Sequence, residues 1–537
     1  MSLSLHTAAS RLPAPAWPGP EFYDALSRRL LLWKFGVQGR VCAEASLEHA
    51  LAAAGEDRRF LAPAAGMAFW MWQQRPTSAD LLETAMTLER LVPFLPGETR
   101  AAWQAMSRFK AVLASLDAAW HEAWDAGDLA RCAEAVASRP LPPPLAGLGL
   151  RLQAQALIYN DATAAMDTLT RLDHLKDTGV LFSSWAATAR SFLLREAGDH
   201  AAAARALIPA WRAMPWHVNL ACTLHDLLHL PRTHGATAHT LTMSRRTVVC
   251  LYTWNKARPL AQALDALARS DLGEARVLLL DNGSADATPV VLEEYARRAP
   301  HPVDILTLPV NIGAPAARNW LLAQPAAAAA QWVAFLDDDA IVPRHWLWAL
   351  LETAARHPRA GAVGCQIVGP HPPYPLQAAD FHLLPPTLCP SGFQDLRERI
   401  HILDNGLGEP ALGCYDHERP AATVTGCCHL LARPALEAAG GFALACSPSQ
   451  FDDAARDLHS ALAGFPAICA GHLRVRHLQH SSLSQAGTPF QKARIRANKA
   501  AMELMFSDAD AGRLAAMDSM RTLEDLAAKL NRLENLV

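Results

Sequence analysis

Three consecutive aspartates, Asp337, Asp338 and Asp339, offer the clearest chemistry in this sequence, and they follow directly on the apolar run QWVAFL. We call them the aspartate cluster. An apolar run of this kind predicts a buried parallel strand, and α/β sheets bind ligands beyond the carboxyl ends of such strands. Clustered carboxylates favour Mg²⁺ or Mn²⁺, which usually also contact substrate phosphates. The pattern therefore predicts a metal that holds a phosphorylated substrate, with a solvated acidic turn as the alternative.

A further carboxylate, Asp281, ends the apolar run VLLLD and precedes the turn sequence NGS. A carboxylate in this position can accept hydrogen bonds from a nucleoside base or ribose. The turn has a simpler explanation, because Asn and Gly favour tight turns without any ligand. No glycine occurs between Gly235 and Gly273, so the turn after the first strand is neither a dinucleotide-binding nor a Walker loop.

The elements that must position these carboxylates are strands that alternate with helices from about residue 245. The strand-like runs TVVCLYTW, ARVLLLD and DILTLPVN alternate with the helix-like segments ARPLAQALDALARS, ATPVVLEEYARRA and APAARNWLLAQ. This alternation predicts an α/β fold with a largely parallel sheet and right-handed crossovers. The stretch from Gly369 to Pro390 is proline-rich, and irregular loops are expected there and on to about Pro420. We expect this insert to help form an acceptor site, since long loops are often functional.

The region before the sheet is predicted to be almost entirely helical and to form a separate domain over residues 1–235. Three of its segments, WDAGDLARCAEAV, IYNDATAAMDTL and REAGDHAAAARAL, resemble tetratricopeptide repeats. Their turn residues Gly127, Asn160 and Gly198 lie 33 and then 38 positions apart, near the 34-residue period of that repeat. An irregular helical bundle is the alternative. Stacked repeats would offer a surface to a partner protein.

Composition and charge exclude several classes of protein. A net charge of −3 over 537 residues gives no basic surface of the kind that binds nucleic acid. The 11 cysteines contain no CxxC pair, which argues against a disulfide framework or a cysteine zinc site. Without a signal-like N-terminus or a transmembrane-length apolar segment, we expect a cytoplasmic protein, with peripheral contact to the inner face of the membrane as a further possibility. Residues 245–485 are predicted to form the α/β domain, and residues 486–537 an amphipathic helical tail that packs on it, dimerises or rests on a membrane.

The order of four segments resembles the nucleotide-binding half of a family 2 glycosyltransferase with the GT-A fold. These segments are TVVCLYTWNKARPL, LLLDNGSAD, NIGAPAARNWLL and FLDDDAIVP. The resemblance implies that Asp281 contacts the base, that Asp339 binds the metal, and that Asp337 faces the ribose or the metal, with Asp338 beside them. The remaining nucleotide-sugar contacts that it implies are Thr253, Asn255, Asn311, Gly313, Arg318 and Asn319.

The resemblance extends to the acceptor half through TGCCHLLARPALEAAGGF and the acidic pair Asp452 and Asp453. Asp453 lies 11 residues before Gly464, and His477 lies 13 residues after it, as in the family's arrangement. The resemblance implies that Asp453, or alternatively Asp452, is the catalytic base. It also implies that His477 joins Asp337 and Asp339 at the metal, with His480 as the fallback. The alternatives are a structural histidine and carboxylates that merely begin a helix.

These implications together predict a metal-dependent, inverting glycosyltransferase that uses Mn²⁺ or Mg²⁺. The donor would be a nucleoside-diphosphate hexose or deoxyhexose. The acceptor would be a hydroxyl on a glycan, lipid-linked or protein substrate in the synthesis of surface polysaccharide, lipopolysaccharide or glycoprotein glycan. Two alternatives remain open: a sugar-nucleotide transferase, and a helical-repeat scaffold that binds nucleotide without catalysis.

Overall fold

The computed structural model describes residues 66, 69–70, 72–91, 93, 95–214, 217–230, 235–384, 399–404, 410, 412–478 and 488–534. The first 65 residues of the predicted helical domain and the fallback His480 lie outside the described residues. The described helices with assigned bounds before the first strand are α1 Ala79–Leu91, α2 Gly97–Ser107, α3 Lys110–Asp125, α4 Leu129–Ala137, α5 Ala146–Leu157, α6 Ala162–His174, α7 Ser183–Glu196, α8 His200–Ala213, α9 Val218–His229 and α10 Ala238–Ser244.

The three repeated sequence segments fall on the helical hairpins α3/α4, α5/α6 and α7/α8, which pack on one another in series. In each hairpin an aspartate caps the second helix, because its side chain accepts a hydrogen bond from the backbone N–H three residues ahead. These caps are Asp128, Asp161 and Asp199. Gly127 and Gly198 precede two of the caps with φ of +71° and +84°, which glycine adopts without steric cost. The helical character is confirmed, while the tetratricopeptide assignment stays a prediction.

Strands and helices alternate from residue 247, as the sequence predicts. The strands are β1 Thr247–Thr253, β2 Arg276–Asp281, β3 Val303–Thr307, β4 Trp332–Leu336, β5 Ala340–Ile341, β6 Ala362–Val368, β7 Leu376–Ala378, β8 Phe381–Leu384, β9 His401–Asp404, β10 Glu418–Ala421, β11 Cys428–Ala432 and β12 Ala467–His477. The helices of this part are α11 Ala257–Ala268, α12 Thr288–Arg298, α13 Ala314–Leu322, α14 Pro325–Ala329, α15 Trp346–Arg356, α16 Arg433–Ala439, α17 Asp452–Leu462, α18 Pro489–Glu503 and α19 Asp508–Glu534.

The main sheet is mixed but largely parallel where it carries the candidate site. Its strand order is β10-β12-β6-β11-β4-β1-β2-β3, with β5 on β12 and β7 on β6. Neighbouring strands among β1 to β4 run parallel, and β11 is antiparallel to both β4 and β6. The register places Thr253 beside Asp281, and Leu336 beside Cys428. The carboxyl ends of β1, β2 and β4 therefore meet at one edge, where ligand sites are expected.

The segment from Gly369 to Pro420 is more regular than the sequence predicts. Strands β7, β8 and β9 lie in its described part, and β8 and β9 pair antiparallel as a separate two-stranded sheet. Prolines at positions 370, 372, 373 and 375 come just before β7, and each of the three strands has only three or four residues, too few to show a periodic pattern. The expectation of continuous loops was therefore wrong, and a role in an acceptor site stays a prediction.

The helical tail packs on the rest of the protein, as one of the three sequence alternatives has it. Helix α19 contacts α9, α17, β8 and β10, and α18 contacts the turn Leu444–Cys446. The helical region is also attached to the turn just before β10, because Arg195 in α7 forms a 2.6 Å ion pair with Asp416, and both side chains are almost fully buried. The division at 1–235, 245–485 and 486–537 stays a prediction. No helix among the described residues has both the length and the apolar character needed to span a bilayer.

Candidate active site

The aspartate cluster lies in the tight turn that follows β4. All five residues of β4 are buried between β1 and β11, so the first polar residues of this segment emerge at the edge of the sheet. The backbone holds the turn on two sides: Asp337 N–H donates to the Cys427 carbonyl at 2.9 Å, and Leu478 N–H donates to the Asp339 carbonyl at 3.0 Å. Strand β5 then pairs with β12 and brings His477 opposite Ala340.

Lys256, which the sequence analysis missed, lies among the aspartates. Its Nζ is 3.0 Å from both Asp338 Oδ1 and Asp339 Oδ2. Burial lowers the pKa of Lys256, but these two carboxylates outweigh that effect and raise it above its ordinary value. Asp338 therefore forms an ion pair inside the site, beside Asp337 and Asp339. The available signal was the position of Lys256, three residues beyond β1, whose end lies beside that of β4.

His477 is oriented by two partners on opposite sides of its ring. Nε2 lies 2.9 Å from Asp339 Oδ1, and Nδ1 lies 2.7 Å from Gln377 Oε1. The Gln377 amide also donates to the His477 carbonyl, which sets its oxygen toward Nδ1, so Nδ1 carries a proton that it donates to Gln377 Oε1. The hydrogen bond to the Asp339 carboxylate, which can only accept, uses a second proton on Nε2. Burial lowers the pKa of His477, but the hydrogen bond and charge of Asp339 give a net rise. Burial raises the pKa of Asp339, but His477 and Lys256 bring it below its ordinary value.

The donor atoms of this edge fit a divalent cation. Asp337, Cys427 and His477 each present a ligand atom within 4.8 Å of the other two, and Asp339 adjoins His477. The predicted metal residues Asp337, Asp339 and His477 are therefore brought together. Burial raises the pKa of Asp337 to about 6, against the lowering effect of nearby Arg318. A cation would compensate the charge that this burial disfavours.

Two of the predicted nucleotide-contacting residues lie on β1 and β2, which are one strand and two strands from β4 in the sheet. Thr253 and Asp281 are both buried and lie side by side at the ends of β1 and β2. Asp281 Oδ1 accepts a 3.0 Å hydrogen bond from Ser284 N–H, so this carboxylate also builds the turn that follows it. Asn255 has φ of +52°, and its Oδ1 accepts a 2.7 Å hydrogen bond from Ala285 N–H. Asn255 thus ties together the two loops that border the expected nucleotide site.

Asn311 and Gly313 line a cleft of about 520 Å³, together with Ile312, Ser447, Pro448 and Arg494. Asn311 Oδ1 accepts hydrogen bonds from Asn282 Nδ2 at 2.9 Å and from Gly313 N–H at 2.8 Å. Gly313 has φ of +83°, a conformation that favours glycine. These two residues therefore shape a concave surface beside the Asp281 turn.

Asn319, a further predicted nucleotide contact, is engaged with the protein backbone in this structure. Its amide makes two hydrogen bonds to the backbone of Phe442, with Nδ2 donating at 2.7 Å and Oδ1 accepting at 2.8 Å. The side chain therefore clamps α13 to the segment that follows α16. In this structure the Asn319 amide is used for this packing contact, and direct contact with a nucleotide stays a prediction.

Arg318 links the aspartate cluster to the acidic pair at the start of α17. Its Nη1 donates to Asp452 Oδ2 at 2.7 Å, and its Nη2 lies 3.5 Å from Asp337 Oδ1. The guanidinium also lies between the rings of Tyr252 and Phe442, at 5.3 Å and 5.1 Å from their centroids. Arg318 is 5% exposed, so it is a buried cation that these carboxylates must neutralise.

The two members of the acidic pair have different surroundings. The side chain of Asp452 is 2% exposed and is engaged with Arg318. Asp453 is only partly buried, and its carboxylate accepts hydrogen bonds from Gly426 N–H at 2.7 Å and from Ala454 N–H at 2.8 Å. Asp457, one turn later, is buried and accepts from Thr423 and the Val424 backbone. Asp453 is therefore the member of the pair that a substrate can reach.

The sequence model of glycosyl transferase family 2 matches residues 248–406. This segment contains β1, β2 and β4, whose ends hold Asp281 and the aspartate cluster. The match, the parallel sheet and the preceding helices confirm the predicted fold class, a GT-A α/β fold preceded by an all-α region. They support glycosyl transfer from a nucleotide sugar as the activity of this part of the chain. A comparison with curated proteins found no match.

Several solved structures have a distant similarity to the chain. TarS of S. aureus has 16% identity and a TM-score of 0.31, with 44% of this chain and 37% of TarS covered. The mannosyltransferase PcManGT of Pyrobaculum calidifontis, in complex with GDP-Man and Mn²⁺, has 19% identity and a TM-score of 0.32, with 58% and 85% covered. GalNAc-T7 with UDP, GalNAc and Mn²⁺ has 13% identity and a TM-score of 0.34, with 47% and 48% covered. The chain thus spans little more than a third of TarS and about half of GalNAc-T7.

Proposed function

We propose that this protein is a metal-dependent, inverting glycosyltransferase that moves a hexose or deoxyhexose from a nucleoside diphosphate to an acceptor hydroxyl. The observation that carries the proposal is the meeting of Asp337, Asp339 and His477 at the carboxyl end of β4, beside the segment that holds Asp281. The family 2 match over residues 248–406 supports it. A nucleotide sugar needs groups for its base, its diphosphate and its anomeric carbon, and this edge offers candidates for each.

The donor side of the site would be organised by fixed groups. Thr253, Asn255 and Asp281 would border the base and ribose, and Asn311 and Gly313 would line the cleft next to them. Asp337, Asp339 and His477 would hold Mn²⁺ or Mg²⁺, which acts as a Lewis acid on the leaving diphosphate when it is bound. Lys256 supplies a permanent positive charge next to the same carboxylates. The role of these residues is to hold the donor in line for displacement, which accounts for much of the rate of such reactions.

The acceptor side would use Asp453 as general base. The acceptor oxygen forms a bond to the anomeric carbon, the bond from that carbon to the diphosphate oxygen breaks, and the acceptor proton moves to the Asp453 carboxylate. The hydrogen bonds from Gly426 N–H and Ala454 N–H fix this carboxylate in position. A single displacement with one base inverts the anomeric configuration. Asp452 would instead position Arg318, with which it forms an ion pair.

The biological setting of the proposal follows from the chemistry of such transfers. The acceptor would be a glycan, lipid-linked or protein substrate in surface polysaccharide, lipopolysaccharide or glycoprotein glycan synthesis. We assign the protein to the cytoplasm, with peripheral contact at the inner face of the membrane. The stacked hairpins α3 to α8 would provide the surface for a protein partner.

A donor screen with a matched pair of variants tests the proposal. The full chain is incubated with uridine, guanosine and thymidine diphosphate sugars, with Mn²⁺, Mg²⁺ or chelator, and release of the nucleoside diphosphate is measured. Asp339→Ala should lower turnover by more than about 100-fold, the scale on which single charge-stabilising groups act. Asp304→Ala, which removes an exposed aspartate of β3 that pairs with Arg276, should leave turnover unchanged.

Three outcomes would contradict the proposal. Absence of metal-dependent turnover with any donor would overturn the assignment of an enzyme, and nucleotide binding by thermal shift in that case would indicate a scaffold. Release of inorganic pyrophosphate in a reaction of a sugar phosphate with a nucleoside triphosphate would indicate a sugar-nucleotide transferase. Equal loss of activity in both variants would show that the aspartate cluster has no special role.

A further inference from the structure

We propose that Cys427 is a ligand of the metal site, so that this site binds a thiophilic divalent ion such as Zn²⁺ or Co²⁺ in preference to Mg²⁺. The inference rests on the metal site of the proposed function and replaces the Mn²⁺ or Mg²⁺ assigned there with a thiophilic ion. Hard oxygen ligands suit Mg²⁺ and Mn²⁺, whereas a mixed set of thiolate, imidazole and carboxylate suits zinc and its neighbours. The sequence indicated no cysteine metal site, because Cys427 lies 90 positions beyond Asp337 and forms no CxxC pair.

The sheet itself brings the cysteine to the site. Strand β11 runs antiparallel to β4 with Cys428 opposite Leu336, so Cys427 and Asp337 are the next residues along each chain. Asp337 N–H donates to the Cys427 carbonyl at 2.9 Å, which continues the pairing by one step. His477 ends β12 and is placed by its pairing through β5. All three ligands therefore lie on strand ends of one sheet, and the geometry does not depend on a flexible loop.

The distances among the three donor atoms are within the range that a metal ion can draw together. Each of the carboxylate oxygen, the thiol sulfur and the imidazole nitrogen lies within 4.8 Å of the other two. Zinc bonds of about 2.0–2.3 Å place tetrahedral donors roughly 3.3–3.8 Å apart, so modest side-chain rotations suffice. Among the described residues, this is the one group of three His, Cys, Asp or Glu side chains whose ligand atoms all lie within 4.8 Å of one another.

The imidazole of His477 already has the orientation that a metal ligand needs at this edge of the sheet. Because Gln377 Oε1 accepts from Nδ1–H at 2.7 Å, the nitrogen that faces the carboxylates is Nε2. A histidine ligand of this kind usually donates its other ring proton to such an outer partner. In the bound state the Sγ–H bond of Cys427 and the Nε2–H bond of His477 break, a sulfur–metal and a nitrogen–metal bond form, and both protons pass to solvent buffer.

The simplest alternative is that Cys427 is a small buried hydrophobe, since it is 4% exposed and belongs to the core of the sheet. Burial raises the pKa of Cys427 well above its ordinary value, and the nearby carboxylates act in the same direction. A bare thiolate is thus disfavoured here, and only a bound cation would reverse this. The two explanations predict different spectra with a metal probe.

Cobalt titration of the full chain separates the two. Co²⁺ gives a near-ultraviolet charge-transfer band when a thiolate binds it, and this band needs no substrate or turnover. We expect the band in the wild type and in Cys428→Ala, whose buried cysteine lies next along the chain and outside the ligand group. We expect its loss in Cys427→Ala and in Cys427→Ser, which nearly preserves the side-chain size. Thermal melts of the variants verify that each is folded.

Calorimetry supplies an independent readout. The Kd for Zn²⁺ should rise by more than about 10-fold in Cys427→Ala, because loss of even an outer partner of a metal ligand has an effect of that size. The Kd for Mg²⁺ should hardly change, since Mg²⁺ prefers oxygen. Cobalt binding without the charge-transfer band, a band that survives in Cys427→Ala, or no cobalt binding would each overturn the inference.

The result is distinguishable from that of the donor screen. A thiolate band in a protein without turnover would overturn the proposed function and support this inference. Metal-dependent turnover in a protein without the band would do the opposite.

Discussion

Replacing Asp453 with asparagine should abolish most of the turnover and preserve the fold, whereas Asp452→Asn should destabilise the fold and preserve most of the turnover. Both residues begin helix α17 and are adjacent in sequence, so the pair is a closely matched comparison. The difference in expectation comes from their partners. Asp453 is partly accessible and is held by two backbone N–H groups, while Asp452 is buried in an ion pair with Arg318.

The magnitude for Asp453→Asn follows from its proposed role. A positioned general base contributes about 10²–10⁴ in rate, so kcat should fall by that factor, or about 3–5 kcal/mol in barrier height. The amide retains one acceptor oxygen for the two N–H groups of Gly426 and Ala454. Loss of one such hydrogen bond costs about 1 kcal/mol, which gives a small decrease in Tm.

The magnitude for Asp452→Asn follows from the burial of its partner. Arg318 is 5% exposed and loses the carboxylate that lies 2.7 Å from Nη1. Breaking a buried ion pair costs about 3–5 kcal/mol, and the remaining amide oxygen favours the lower end of that range. At about 2–4 °C per kcal/mol for a domain of roughly 150–250 residues, Tm should fall by about 6–12 °C.

Two measurements on the same preparations test this reasoning. The kcat values are measured with the donor from the screen at a temperature well below both Tm values, and Tm is followed by intrinsic fluorescence. Asp452→Asn should retain kcat to within about 10-fold, below the range for a lost base. The reasoning is refuted if Asp453→Asn keeps wild-type turnover, or if Asp452→Asn loses turnover without a change in Tm.

Three further predictions concern one charge in the site, one charge elsewhere on the sheet and one closely packed glycine. Lys256→Met removes an ammonium that lies 3.0 Å from two aspartates and is 33% exposed. In chelator, the free energy of unfolding should fall by about 2 kcal/mol, and Tm should fall with it. Mn²⁺ should then raise the Tm of the variant more than that of wild type, and equal rises in Tm would contradict this prediction. Burial raises the pKa of Glu418, but the neighbouring histidine and arginine hold it well below 4.5, so the stability that it contributes is present above that pH and is lost as pH falls. Urea unfolding of Glu418→Gln should therefore depend less on pH below 4.5 than that of wild type, and parallel pH curves would contradict the assignment. Gly471→Ala places Cβ 2.0 Å from the Tyr415 carbonyl oxygen and should cost more than about 3 kcal/mol, while Gly512→Ala meets nothing within 4 Å and should leave the thermal melt nearly unchanged.

Much of the fold could be predicted because its signals are local. The apolar runs that form β1, β2 and β4 end at polar residues, so both the strands and the positions of Asp281 and the aspartate cluster are visible in the sequence. The aspartates that cap α4, α6 and α8 likewise mark the helical hairpins. The short strands β7 to β9 were missed because three or four residues are too few to show a periodic pattern.

Part of the site could be predicted only through the order of the motifs. His477 lies far from Asp339 in sequence, and its spacing from Asp453 was the signal that placed it at the site. The structure brings His477 Nε2 to within 2.9 Å of Asp339 Oδ1. The functional roles of these residues stay predictions. Lys256 lies inside the first of the four family-like segments, but that resemblance implied no role for it, and Gln377 lies in none of the four. A lysine or glutamine near a strand end is common on any protein surface.

The sequence by itself determined that strands alternate with helices and that carboxylates stand at the ends of the strands, because hydrophobic periodicity depends on neighbours along the chain. Only the tertiary structure decided which of these carboxylates are buried in ion pairs and which stay accessible. It buried Asp452 against Arg318 and left Asp453 accessible, although both are aspartates at the start of one helix. It also brought Cys427 to the aspartate cluster. The physical reason is that pairing between β4 and β11, and the packing of α13 on β1 and β2, join residues that are far apart in the chain, and no local pattern records those contacts.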